Sequence, residues 1–419
     1  MAWLAAAAAA IGLVALSLAL GWLARAWRGV PSAEDDRSAR TPTGQPAFGT
    51  RPPVTLVPAP ALTRFRLVVL LVGLVALLFA TLAPLAERIL QPAPSFIRVQ
   101  GTAFIKNGRP WRFVGANTNH IWEPALFNAE RILDEAVQLG IEVVRIFPYA
   151  EQFYPFDRTA EDQREVERYW RELDHVLDLA RRRDLRVILA PTWDYVGIIL
   201  TGDPRQGDRN HYRFMTDPRA VERYQRFWTY LAERRNTVNG RRYRDDPTIL
   251  GYNVINEWEV ADAPGRLSQD EVQAAVARWF EEMAAHIKRV APNQLVGSGV
   301  IGDDQPGIDF VRIHRAPSID FATVHVYPHQ RPPEWLAERA RLAREQVGKP
   351  IVLQEGMAQG DDTAKAAYIE RYWSVAVAAG FSGVMFWDWQ TSEDGYQVFP
   401  TDRQTVAAIR RVVEQLRRG

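Results

Sequence analysis

Residues 249–259 read ILGYNVINEWE, an apolar run that ends in the amide of Asn256, the carboxylate of Glu257 and the indole of Trp258. A run this short, bounded by polar residues, reads as a buried strand. A buried strand that carries polar groups at its C-terminal tip is how a β/α barrel presents its chemistry. Residues 349–356, KPIVLQEG, repeat the pattern and place Glu355 at a second tip.

Working outward, the same kind of run recurs as FVGA (113–116), VVRIF (143–147), RVILAP (186–191), QLVGS (294–298), FATVHV (321–326) and GVMFW (383–387). Between and after these runs lie stretches such as AERILDEAVQLG (129–140), QDEVQAAVARWFEEMAAHIKRV (269–290) and TVAAIRRVVEQLRR (405–418). Most place apolar residues at i, i+3, i+4 and i+7 with charge on the opposite face, the pattern of amphipathic helices. Eight strands, each followed by a helix, predict a closed (β/α)8 TIM barrel. A doubly wound open sheet is the alternative, but no glycine-rich phosphate loop follows the first strand. Ahead of the barrel, IRVQG and TAFIK, an Asn107-Gly108 turn and RPWRFVGAN predict a hairpin that plugs the barrel or leads into its first strand.

The N-terminal part belongs to a different environment. Residues 1–95 hold eight Arg and four acidic residues, a net charge of +4, leaving −3 for residues 96–419. Residues 2–24 and 67–86 are uncharged apolar stretches, long enough for helices that cross a bilayer. Cleavage of the first as a signal peptide is the competing reading, although no basic segment precedes it. The intervening loop carries Arg25, Arg28, Arg37, Arg40, Arg51, Arg64 and Arg66 at its ends or within it, and the extreme N-terminus has none. The positive-inside rule therefore places the loop in the cytoplasm and everything beyond Ala86 outside. The expected organisation is a transmembrane helix in 1–26, a cytoplasmic Pro/Arg-rich loop in 27–64, a second transmembrane helix in 65–90 and a barrel in 96–419. The expected location is the cytoplasmic (inner) membrane, multi-pass, with the barrel extracytoplasmic.

Over the whole chain, 51 Lys and Arg balance 50 Asp and Glu, which argues against nucleic acid as a partner. With no cysteine, thiolate metal sites and cysteine nucleophiles are excluded. His325 and His329 stand four apart, but no H-E-x-x-H motif or other ligand set accompanies them, so neither metal nor cofactor is expected. Ser298 in Gly297-Ser298-Gly299 lacks the G-x-S-x-G spacing of a nucleophile elbow.

The strand tips bring together Asn117, Asn119 and His120, then Arg145, then Trp193, Asp194 and Tyr195, then Asn256, Glu257 and Trp258. They continue with His325 and Tyr327, Glu355, and Trp387, Asp388 and Trp389. Carboxylates and amides among aromatics suit a sugar, whose ring faces stack on aromatic rings while its hydroxyls find polar partners. Two carboxylates on tips four and seven suit glycosidic bond cleavage, in which one protonates the leaving oxygen and the other attacks or activates water. Arg145 beside Glu355 would keep that carboxylate ionised, and the tyrosine hydroxyl of Tyr327 would orient it. The neighbouring charge of Glu355 would raise the pKa of Glu257 and leave it protonated at rest.

At this point the residues resemble glycoside hydrolase family five, and within it the endo-β-1,4-mannanase branch. The resemblance runs over nearly all of 96–419, through IRVQGTAFIKNGRPWRFVGANTNHIW, RVILAPTWDYVG, ERRNTVNGRRYRDDPTILGYNVINEWE, SIDFATVHVYPHQ, KPIVLQEG and GVMFWDW, in the family's order. It implies a retaining mechanism with Glu257 as acid/base and Glu355 as nucleophile. It further implies Asn256 on the sugar 2-hydroxyl, Arg145 and Tyr327 supporting Glu355, His325 lining the site and Trp387 beneath the −1 sugar. Trp193, Asn117 and Trp258 complete the candidate set. The sequence departs from the family at Trp258-Glu259, where a proline and, in mannanases, a basic residue usually stand, and at Gly356-Met357. A bulky Trp258 and an acidic Glu259 are expected to reshape the leaving-group side of the cleft. The expected substrate is a β-linked polysaccharide or oligosaccharide. Transglycosylation and a non-catalytic sugar-binding role in polysaccharide export are the alternatives, and oligomeric state is left open.

Overall fold

The computed structural model describes residues 95–202, 210–302 and 305–418. The two expected membrane helices and the loop between them lie outside the described residues. Among those described, no helix is long and apolar enough to cross a membrane.

Three short strands come first: β1 (Arg98–Gln100), β2 (Ala103–Lys106) and β3 (Arg109–Trp111) form an antiparallel sheet. The β2–β3 register pairs Lys106 with Arg109, so Asn107 and Gly108 form a two-residue loop, at φ of 54° and 76°. Both central residues of such a turn need positive φ, and Asn-Gly is the pair that accepts it most readily.

The second sheet has eight strands: β4 (Phe113–Thr118), β5 (Val143–Ile146), β6 (Arg186–Leu189), β7 (Ile249–Asn253), β8 (Leu295–Gly297), β9 (Ala322–His325), β10 (Ile351–Glu355) and β11 (Gly383–Phe386). The ladders are parallel and run β8-β7-β6-β5-β4-β11-β10-β9. A parallel bridge from Gly297 to Phe321 joins the two ends and closes the barrel. The helices fall where apolar periodicity puts them, including Ala129–Leu139, Ala160–Arg182, Pro218–Glu233, Gln269–Val290 and Arg403–Arg418. The helical stretch made of Asp362–Tyr368 and Ser374–Ala379 is interrupted by a π-helical turn at Ile369–Trp373.

Alternation along the strands separates two cores. Val114, Ala116, Val144, Ile146, Val384 and Phe386 pack outward in the large cluster shared with the helices. Phe113, Val143, Ile188, Leu250, Leu295, Phe321, Val352 and Met385 point inward and form the floor of the barrel, joined by Ile97 and by Phe104 of β2. The hairpin is therefore the plug: the Phe104 ring lies 5.6 Å from that of Phe321 and 5.9 Å from that of Phe113. Each fully buried side chain of this kind stabilises the fold by about 1.5–3 kcal/mol relative to exposure.

The same alternation carries the site. From Phe113, two steps of two reach Asn117; from Val143, one step reaches Arg145; from Met385, one step reaches Trp387. Two strands break the count. Val352 and Glu355 both face inward although they stand three positions apart, and the ladder shifts register between Leu353 and Glu355. Leu250 and Asn253 stand in the same relation, with a register shift beside them. A bulge resets which face a side chain occupies, here just below the tips that matter.

Candidate active site

Arg145 is the centre of the cluster, with 0% of its side chain exposed. Its Nε donates to Asn253 Oδ1 at 2.7 Å and its Nη1 to Asn117 Oδ1 at 3.2 Å. Nη1 also donates to Glu355 Oε1, and Nη2 to Asn256 Oδ1. The guanidinium lies over the Phe147 ring, 4.6 Å from its centroid. One cation thus links β4, β5, the end of β7 and β10. Asn117 is held in turn, its Nδ2 donating to the carbonyls of Gln354 and Phe386 at 2.8 and 2.9 Å. Every polar group around the buried charge points an acceptor at it, the condition for burying a guanidinium without a large penalty.

Glu355 is almost fully buried, and its second oxygen accepts from the Tyr327 hydroxyl at 3.3 Å. Glu257 keeps 31% of its side chain exposed and faces the cleft. His325 lies between the two carboxylates, its Nδ1 2.9 Å from Glu257 Oε1 and 3.6 Å from Glu355 Oε1. Carboxylate oxygens of Glu257 and Glu355 approach within 4.8 Å of each other. These two residues and His325 are also the one group among the described residues close enough to share a metal ion. The Arg145 guanidinium already supplies the positive charge against Glu355, and it opposes a divalent cation there.

The electrostatics differ from the sequence expectation of a high-pKa Glu257 beside an ionised Glu355. Burial raises the Glu355 carboxyl above the usual carboxylate range, with the facing Glu257 adding to it against the pull of His325 and Arg145. Burial also acts to raise Glu257, but the hydrogen bond and charge of His325, helped by Arg145, bring it below the usual range. The difference has a local cause: Glu257 receives the imidazole N–H, and Glu355 has the deeper position.

Most of the sequence candidates meet here. Asn117, Arg145, Asn256, Glu257, His325, Tyr327 and Glu355 form one connected network. Trp387 stands edge-on to Phe147 at 5.3 Å and donates its indole N–H to Asp394. Trp193 borders the neighbouring pocket with 41% of its surface exposed. Trp258 is a correction. It is fully buried, stacked on His211 at 4.5 Å and on Trp279 at 5.2 Å, so it supports the cleft wall from behind and does not touch the cleft. The pocket of roughly 410 Å³ beside Glu257 is lined instead by Trp193, His211, Glu259, Ala261, Asp262 and Ile301. Of the other tip residues, Asp194 accepts the backbone N–H of Ala150 at 2.7 Å, and Asp388 anchors the loop after β11 through Asn119, Thr391 and Ser392. Burial raises both carboxyls to about 6. Sequence reasoning missed Asn253, whose only signal is an amide inside the otherwise apolar run 249–255, and Tyr149, whose hydroxyl donates to Asn119.

A parallel barrel with two close carboxylates at the tips of its fourth and seventh strands, among amides and aromatics, defines a glycosidase site. Comparison with known proteins agrees. Residues 205–390 match the family described as GH family 5 beta-mannosidase-like. The chain is 30% identical over 300 residues to mannan endo-1,4-beta-mannosidase 8 of Oryza sativa subsp. japonica, covering 62% of this chain and 78% of that protein. It is 25% identical over 368 residues to mannan endo-1,4-beta-mannosidase 7 of Arabidopsis thaliana, covering 73% and 82%. The endo-1,4-beta-mannanase of Rhizomucor miehei shares the fold, with a TM-score of 0.64 at 20% identity over 77% of this chain and all of that one. A family 5 mannosidase of the same organism, solved with mannosyl-fructose, gives a TM-score of 0.61 at 22% identity over 78% of this chain and 98% of that one. The chain belongs to glycoside hydrolase family 5 and is a glycoside hydrolase, in a family for which retention is typical.

Proposed function

We propose that the protein is a retaining endo-β-mannanase-like hydrolase, tethered to the cytoplasmic membrane by two N-terminal helices with its barrel outside. The observation that carries the chemistry is the approach of Glu257 and Glu355 to within 4.8 Å. Retaining enzymes hold their carboxyls about 5–5.5 Å apart, whereas inverting ones need about 6.5–9.5 Å to seat a water between them.

In the first step a Glu355 oxygen attacks the anomeric carbon of the −1 sugar, seated on Trp387. The glycosidic C–O bond breaks, its electron pair stays on the leaving oxygen, and that oxygen takes a proton from Glu257. In the second step Glu257 removes a proton from water, the resulting oxygen attacks the anomeric carbon, and Glu355 is released. The two carboxyls titrate as a coupled pair, and the state with one proton between them lies between the doubly protonated and the doubly ionised ones. The productive form of that state has the proton on Glu257 and the charge on Glu355, where Arg145 and Tyr327 meet it. Asn256, its side-chain oxygen held by Arg145, is the residue we assign to the 2-hydroxyl.

Mannan as substrate is supported by the activity for which the relatives are named. Glu259 and Asp262 give the leaving-group side an acidic character, and Glu259 is part of the Trp258-Glu259 departure from the family pattern. The exposed Trp193 on that side supplies a platform for an incoming sugar, which favours transfer as a second outcome of the same glycosyl-enzyme. The uncharged stretches 2–24 and 67–86 and the arginine-bearing loop between them support the tether. Incubating the full-length protein with β-mannan, β-glucan and exported polysaccharide of its own cell tests the substrate. Release of reducing ends from mannan is expected, products longer than the donor would mark transfer, and binding without turnover on all three would refute hydrolysis.

A further inference from the structure

Ser298 lies opposite His314 in the barrel wall, and the reaction described above uses neither. Both are fully buried, so no substrate reaches them, yet Ser298 Oγ and His314 Nε2 are 2.7 Å apart. We propose that Ser298, His314 and Thr323 form a buried bracket that positions Glu257 for proton transfer. The proposal rests on the reading of Glu257 as acid/base.

The hydrogen positions follow from the partners. His314 Nδ1 is 2.7 Å from the carbonyl oxygen of Phe310, which can only accept, so Nδ1 carries the proton. Nε2 is therefore bare and accepts from the Ser298 hydroxyl and from the backbone N–H of Thr323 at 3.3 Å. Burial lowers the His314 pKa to about 3, with the charge of Lys349 adding, so the neutral form persists. Thr323 Oγ1 shares its proton between Ser298 Oγ at 2.7 Å and the Val300 carbonyl at 3.2 Å, and accepts the N–H of Gly299 at 3.1 Å.

Gly299 then reaches the acid. Its carbonyl accepts the Glu257 N–H at 2.8 Å, while the carbonyls of Gly297 and Ser298 accept from Val254 at 2.9 Å and Ile255 at 3.4 Å. The two backbones are as close as they can be: a Cβ on Gly299, at φ +84°, would stand 2.2 Å from the Ile255 oxygen. Glu257 itself has a φ of 50°. A non-glycine residue there costs about 1–3 kcal/mol and persists only where its surroundings hold it. Thr323 also stands two residues before His325 on β9, and His325 Nδ1 meets the Glu257 carboxylate. The bracket thus fixes the acid at both ends, its backbone through Gly299 and its carboxylate through His325. A slip of a few tenths of an ångström would detune proton delivery far more than nucleophilic attack by Glu355, which Arg145 and Tyr327 hold independently of the bracket.

The test separates those two steps in the full-length protein. With 2,4-dinitrophenyl β-mannobioside the leaving group departs as a stable anion and needs no proton; with β-1,4-mannohexaose it does. Ser298→Ala and Thr323→Val should each lower kcat/KM on mannohexaose by about tenfold and on the dinitrophenyl substrate by less than about twofold. Thr323→Ser keeps the hydroxyl and should restore mannohexaose turnover. Thr323→Val is nearly isosteric and preserves the comparison if Ser298→Ala does not fold. Equal losses on both substrates, or none on mannohexaose, overturn the proposal. Glu257→Gln assayed on the same pair is the control: without a selective loss there, the acid/base reading itself fails.

Discussion

Replacing Arg145 with Met removes the guanidinium that donates to Glu355 and leaves Asn117, Asn253 and Asn256 with oxygens aimed at an apolar side chain. Breaking a buried pair by deleting one partner destabilises by about 3–5 kcal/mol, because the remaining charge is left uncompensated. The cost should depend on pH, and the sign is fixed by linkage. Burial already raises the Glu355 carboxyl, and losing Arg145 raises it further. A carboxyl whose folded pKa exceeds its unfolded one contributes stability that is complete below the unfolded pKa and lost as pH rises through the folded one. The variant should therefore be less destabilised near pH 5 than near pH 7.5, by about 1.4 kcal/mol for each pH unit that Glu355 moves. Since the nucleophile must be ionised, the acid limb of kcat/KM should move to higher pH. Urea denaturation at the two pH values, with a pH–rate profile of whatever activity remains, reads both effects. A destabilisation equal at both pH values, with an unmoved acid limb, would refute the reasoning.

Three further outcomes are expected. Phe104→Ala should destabilise the barrel by about 3–5 kcal/mol through the cavity left in its floor, seen as a lower denaturation midpoint, while kcat at a permissive temperature stays near wild type. Asp388, raised by burial to about 6, should make the protein lose up to about 3 kcal/mol between pH 4 and 7, and Asp388→Asn should flatten that slope in calorimetry. Neutralising Glu259 and Asp262 together should narrow the preference for neutral over anionic sugars on the leaving-group side by about fivefold in kcat/KM, since exposed charges of this kind are worth up to about 1 kcal/mol.

The barrel was legible because its strands and helices obey two different periods, and ILGYNVI and PIVLQ end where polar groups begin. Asn117, Arg145 and Trp387 could be read as inward-facing from alternation alone. Alternation fails at Glu355 and Asn253, which reach the interior only because bulges reset the register, and a bulge leaves no mark in an apolar run. Trp258 misled for a related reason. Glu257 sits at φ 50°, and the residue after it turns back into the wall and stacks on Trp279, where a continued strand would have aimed it elsewhere. The protonation order of the glutamates was also hidden, because it depends on His325 standing nearer to Glu257 than to Glu355, a distance set by β9 and not by any local motif.

The most direct test of the central claim is to trap the glycosyl-enzyme. Incubating the full-length protein with 2,4-dinitrophenyl 2-deoxy-2-fluoro-β-mannoside and mapping the labelled peptide by mass spectrometry should show one fluorosugar, esterified to Glu355. An adduct on another residue, or full inactivity toward the reagent in a protein that cleaves mannan with inversion, would contradict the account.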